Sequence, residues 1–131
     1  MDMKAVNPWT WQDAFHFSHG VDVRGAGQLL FLAGQTSVNP DGSVLHPGDM
    51  AAQLDRVFDN LETVLAQAGL TMANVVRLNY YVTDMEAFAA ARAKVEARLA
   101  SLAVKPSGCL LGVTRLSQPD LLVEIEATAV A

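Results

Sequence analysis

Two carboxylates two residues apart, one thiol, three imidazoles and a few isolated guanidinium groups are the side chains of this sequence that could do chemistry. Glu124 and Glu126 alternate with Val123, Ile125 and Ala127, so a strand there puts both carboxylates on one face. Such a pair is either solvated or, where a cleft encloses a member, raised in pKa and able to act as a general base. Cys109 offers a nucleophile, and it equally suits a small apolar strand position. A single cysteine forms no disulfide within the chain. His16, His19 and His46 lack the further ligands that zinc motifs supply, so ordinary hydrogen bonds are expected of them and no metal is assigned. Gly25-Ala26-Gly27 precedes a strand and not a helix, which excludes a dinucleotide fingerprint, and no phosphate-binding loop is present. Trp9, Trp11, Phe15 and Phe17 crowd the N-terminal segment, either as core or as an apolar wall for a hydrophobic ligand.

Composition bounds the setting for these groups. The 131 residues are 51% hydrophobic and 18% charged, a balance for one globular domain over 1–131. The net charge is −5 and lysines and arginines are scattered, whereas nucleic-acid binders present a basic stripe that displaces counterions. No nucleic-acid partner is therefore expected. No apolar run nears the ~20 residues that span a bilayer. The N-terminal residues carry no basic flank followed by an apolar stretch, so neither a membrane partner nor a secretory signal is expected, and a cytoplasmic location is.

The elements that must position these groups follow from periodicity. Residues 19–35 read as a β-hairpin, with Gly25-Ala26-Gly27 as the turn and Leu29 to Ala33 as an apolar strand. Leu54, Val57, Phe58, Leu61, Val64, Leu65 and Ala68 form a helical stripe over about 50–68, with Asp49 as N-cap and Gly69 after the C-terminus. Val75 to Val82 is a strand. Thr83-Asp84 ends it and offers a cap for one helix from Glu86 to Leu102. Strands at Cys109 to Val113 and Leu121 to Val130 complete the order β-β-α-β-α-β-β. Helical crossovers between strands predict a partly parallel sheet. Two helices cover one sheet face, while Leu29 to Ala33 and Cys109 to Val113 are apolar on both sides. The uncovered face predicts a homo-oligomer.

The sequence also resembles the YjgF/RidA family of reactive-intermediate deaminases. The resemblance rests on Leu30-Phe31-Leu32-Ala33-Gly34-Gln35 with the Asp41-Gly42 turn, Gln53 with Asn60-Leu61, Val64-Leu65, Ala68-Gly69-Leu70, Tyr81-Val82-Thr83-Asp84, Phe88, and Val123-Glu124-Ile125-Glu126-Ala127. It implies an α+β, chorismate-mutase-like fold, a mixed β-sheet with two helices on one face. It also implies a homotrimer with small-molecule clefts between subunits, and hydrolysis of enamines or imines to a 2-keto acid and ammonia without metal or cofactor. In typical members an arginine binds the substrate carboxylate by a bidentate ion pair and a glutamate positions water. The glutamate is kept as Glu124, and Gly34 and Gln35 are kept. Gly108, before Cys109, stands where the arginine belongs, Phe17 replaces a tyrosine, and Arg92 replaces a helix asparagine near the ligand.

Losing one member of a charged bidentate pair commonly costs about 2–5 kcal/mol of binding. Gly108 also makes room for a bulkier ligand. Arg92 either meets an anionic ligand in place of the lost arginine or is a solvated residue pairing with Glu96 or Glu86. The expected function is thus a divergent enamine or imine deaminase of the 2-iminobutanoate/2-iminopropanoate type. The alternative is a non-catalytic small-molecule-binding or regulatory trimer. A ribonuclease label often attaches to the family, and the acidic chain argues against that activity.

Overall fold

The computed structural model describes residues 1–131. Its strands are β1 (Asp2–Val6), β2 (Gly20–Arg24), β3 (Leu29–Thr36), β4 (Val75–Val82), β5 (Leu110–Gly112) and β6 (Val123–Val130). Its helices are α1 (Met50–Gln67), α2 (Met85–Ala90) and α3 (Arg92–Leu99). The fold is the expected mixed α+β class. No helix is long and apolar enough to cross a membrane.

Helix α1 forms where the apolar stripe predicts it. Leu54, Val57, Phe58, Leu61 and Leu65 are fully buried. The Asp49 carboxylate accepts the Ala52 N–H at 3.0 Å, satisfying a donor that the first turn leaves free. Gly69 follows the helix at φ +75°, the left-handed conformation glycine adopts without penalty.

The four-stranded sheet has the order β3-β6-β4-β5. β6 is antiparallel to both neighbours, and β4 and β5 are parallel, as the crossover predicts. Val123, Ile125, Ala127 and Ala129 of β6 enter the core beneath α1, with Leu32 of β3 and Leu78 of β4.

Three expectations are corrected. The 19–35 hairpin does not form: β2 pairs with β1 in a separate two-stranded sheet, and β3 pairs with β6. Gly25 does turn the chain, at φ +71°. β1 alternates exposed and half-buried residues and supplies β2 with a partner close in space, while β3 finds on β6 a register that buries Leu32. The second helix breaks at Ala91 (φ −97°, ψ 5°), whose N–H is shared between the Ala87 and Phe88 carbonyls. Its regular part ends at Leu99 and not at Leu102. With no glycine or proline at the break, the apolar periodicity carries across it unmarked. Finally, the helix-free face is apolar only along its margins. Phe31 there is 75% exposed and Leu111 48% exposed, but the centre carries Glu124, Glu126, Asn79 and Tyr81.

Gln53 joins the helix to the loops at the sheet end. Fully buried, it donates to the carbonyls of His46 (3.0 Å) and Asp120 (2.8 Å) and accepts the Leu122 N–H (2.8 Å). A Gln53→Leu substitution keeps the volume and strands three backbone groups, each costing ~1–3 kcal/mol when buried unpaired. Urea unfolding of this variant is expected to show a loss of about 3 kcal/mol or more at unchanged m-value.

Candidate functional site

A cavity of about 330 Å³ opens between the N-terminal segment, the α2–α3 pair and the β4–β5 side of the sheet. One wall is a 3-10 turn, Trp11–Phe15, followed by His16 in the left-handed conformation (φ 58°) and by Phe17. His19 organises this segment: the rings of Trp9 and Trp11 each stand 4.9 Å from it edge-on, and Phe17 5.6 Å. The Ser18 N–H donates to the Pro106 carbonyl (3.1 Å) and ties the segment to the approach of β5. Trp9, Trp11 and Phe15 remain exposed, so they are not core. The second wall is Phe88, Arg92, Val95 and Leu99, and the floor is Leu78, Tyr80 and the start of β5.

Four sequence candidates, Phe17, Arg92, Gly108 and Cys109, therefore meet around one cavity. Arg92 Nε donates to Glu96 Oε1 at 3.1 Å, and its guanidinium carbon lies 5.2 Å from the Phe15 ring centroid. The i,i+4 ion pair is thus present and Arg92 still lines the cavity. At 46% side-chain exposure the pair itself contributes little, about 0.3–0.5 kcal/mol.

Gly108 is more than a missing side chain. Its φ is +154°, and a Cβ there would overlap the Leu78 carbonyl, lying 2.7 Å from the carbonyl carbon. The expectation that Gly108 enlarges a cleft is thus modified: its backbone moves in against β4 and closes the place an arginine stem would leave from.

Glu124, Gly34 and Gln35 are not brought to this cavity. Glu124 lies on the helix-free face, opposite Thr36 of β3 and Tyr81 of β4. Its carboxylate crosses Gly34, where a Cβ would clash with Oε1 and sit 2.7 Å from Cδ. A register shift between Leu32 and Gln35 bends β3 at this crossing. The Gln35 amide turns back to the Ala33 carbonyl, 3.2 Å away.

Sequence reasoning missed the polar network beside Glu124. Glu126 Oε1 accepts the Tyr81 hydroxyl at 2.6 Å and the Asn79 amide at 3.0 Å, and Asn79 Oδ1 accepts the Cys109 N–H at 3.1 Å. The Tyr81 hydrogen bond, followed by that of Asn79, holds Glu126 below the usual carboxylate range. The same bond, with burial next, raises Tyr81 above the ordinary phenol value. The signal was the alternation of Asn79 and Tyr81 in β4; the missing information was the register that sets Asn79 opposite Glu126. No three histidine, cysteine or acidic side chains converge as a metal site.

The family model for endoribonuclease L-PSP matches residues 11–131. The chain belongs to the YjgF/RidA family. Among its relatives, a RutC family protein of Aquifex aeolicus is 33% identical over 114 residues, covering 87% of each chain. The 2-iminobutanoate/2-iminopropanoate deaminase of Escherichia coli is 34% identical over 87% of this chain and 86% of its own. Among solved structures, the Rid-family protein YyfB of Yersinia pestis, whose function is unknown, shares 37% identity over the full length of both chains at a TM-score of 0.89. The YjgF gene product of E. coli shares 34% over 87% of each at 0.69.

For this YjgF/RidA protein two outcomes follow. Gly108→Arg, at the position where the resemblance expects an arginine, should destabilise the fold by about 3 kcal/mol or more, because overlap with backbone adds to strain at positive φ. A thermal melt reads this as a clear drop in Tm. Tyr81→Phe is expected to raise the Glu126 pKa, read by carboxyl NMR titration. Because the folded value lies below the unfolded one, the network's stabilisation is present above the unfolded carboxylate pKa of about 4.3 and is lost as pH falls through the folded value. Tyr81→Phe should shrink that acid-side loss.

Proposed function

We propose that this YjgF/RidA protein binds a small metabolite in clefts between the subunits of a homotrimer and hydrolyses an enamine or imine there, with Glu124 positioning the water. The observation that carries this reading is the crossing of Glu124 over Gly34. The Glu124 carboxylate lies over Gly34 on the helix-free face, where the missing side chain leaves it room, and Tyr81 is its register partner on β4. Water held by Glu124 adds to the imine carbon as one of its protons passes to the carboxylate, which returns it to the nitrogen; the hydroxyl proton of the resulting carbinolamine then moves to the amine as the carbon–nitrogen bond breaks, leaving a 2-keto acid, ammonia and the carboxylate as it began.

Within one protomer Glu124 and the aromatic cavity occupy opposite faces of the sheet. A joint site therefore requires Glu124 of the partner subunit to face the cavity wall that holds Phe17 and Arg92. The exposed margins at Phe31 and Leu111 support such a packing. The net charge of −5 disfavours a ribonuclease role.

The closure of the arginine position by Gly108 and Leu78 favours a second reading, a trimer that binds or senses a metabolite without turning it over. An assay in which an amino-acid oxidase generates imino acids in situ separates the two. For the hydrolase, Glu124→Ala is expected to lower kcat by about 10²- to 10⁴-fold, the usual contribution of a positioned base. Equal rates in wild type and variant would remove Glu124 from the chemistry. Ligand-dependent stabilisation without turnover of any imine would leave the binding role alone.

A further inference from the structure

We propose that the cavity selects acids bearing an aromatic side chain, and that Arg92 anchors their carboxylate. This rests on reading the cavity as the ligand cleft. Its volume of about 330 Å³ lies at the small end of ligand pockets, enough for one ring on a short acid chain. An acid of only three or four carbons would leave most of the apolar wall against water. The wall itself is aromatic: Trp11, Phe15 and Phe17 on one side, Tyr80 and Phe88 on the other. Rings so disposed accept a further ring edge-on or offset. Two of them, Trp11 (58% exposed) and Phe15 (47%), are incompletely covered by the protomer, so an entering ring removes them from water.

Charge completes the selection. Arg92 is the arginine of the wall, and no lysine or carboxylate lines the cavity with it. Glu96 engages its Nε, and no other hydrogen bond within the chain uses the guanidinium, which leaves the terminal nitrogens for a carboxylate. Its stacking beside Phe15 places the charge at the ring-binding wall. His16, also on the wall, has a buried Nδ1 with no partner. That nitrogen is closed off within the protomer, and the 2-oxo or 2-imino group of the ligand follows from the hydrolase reading on which this inference rests. The ligand class is therefore an aromatic 2-imino acid and the 2-oxo acid its hydrolysis leaves. The anchor is on α3, not on β5, where Gly108 closes against Leu78.

Calorimetric titration of the full chain with phenylpyruvate, pyruvate and the uncharged phenylacetone tests this, using wild type, Arg92→Ala and Arg92→Lys. Arg92 is on an exposed helix surface, so its substitution leaves the fold intact. Phenylpyruvate is expected to bind at least about tenfold tighter than pyruvate. Arg92→Ala should weaken phenylpyruvate by about tenfold or more, Arg92→Lys should recover part of that loss, and phenylacetone should bind weakly and equally to all three. Equal affinity for the two acids would overturn the aromatic selection, and unchanged phenylpyruvate binding in Arg92→Ala would overturn the anchor. Turnover of small imines with no binding of phenylpyruvate would overturn this inference and leave the hydrolase reading standing. The expected binding pattern without any turnover would uphold the ligand class and remove the hydrolase reading.

Discussion

Strand β6 lies between β3 and β4 and is hydrogen-bonded to both, and the two carboxylates Glu124 and Glu126 take their place from that insertion. Its alternation does two things at once. Val123, Ile125, Ala127 and Ala129 bury themselves under α1, while Glu124 and Glu126 face away. A one-residue slip against either neighbour would drive the carboxylates into the core, at a cost in desolvation that the apolar positions could not offset. The hydrophobic core therefore fixes where the carboxylates stand. This couples folding to function over a long sequence separation, because the last strand must enter between two that precede it.

Two glycines give room to a close neighbour, in one case a flexible side chain and in the other backbone. At Gly34 the space goes to the Glu124 carboxylate; at Gly108 it goes to the Leu78 backbone. The two contacts have opposite consequences. The first leaves a carboxylate room on a strand surface, and the second closes backbone against backbone at the approach to β5. Cationic character in the cavity consequently comes from Arg92, on an element whose break at Ala91 sets the start of α3.

The N-terminal segment is the part of the protomer least satisfied by its own contacts. Gln12 Oε1, His16 Nδ1, Ser18 Oγ and His19 Nε2 are buried without partners, and all lie between residues 12 and 19. Gln12 and Ser18 are almost wholly buried; the Gln12 amide donates to Asp13 Oδ1 at 2.9 Å and the Ser18 N–H to the Pro106 carbonyl, which leaves only Gln12 Oε1 and Ser18 Oγ unpaired on these two residues. Exposed rings beside unpaired polar atoms describe a surface suited to contact with another molecule, in keeping with the ligand cleft and the trimer proposed for it.

The sequence by itself determined the elements whose signals are local. The α1 stripe with its Asp49 cap, the β4 span, the alternation of Glu124 and Glu126, and the family motifs were all legible, because periodicity and capping depend on neighbours a few residues away. The resemblance also pointed to Gly108 as standing where the family's arginine is expected. Only the tertiary structure decided which strands pair. β1 captured β2, and β3 went to β6, because edge pairing is settled by burial across the whole sheet and not by the turn at Gly25. Tertiary structure likewise placed Phe17, Arg92 and Gly108 around one cavity and Glu124 on the other face. It linked Glu126 to Tyr81, and it turned an apparent gap at Gly108 into a closed contact, since each of these depends on register and close approach between segments distant in the chain.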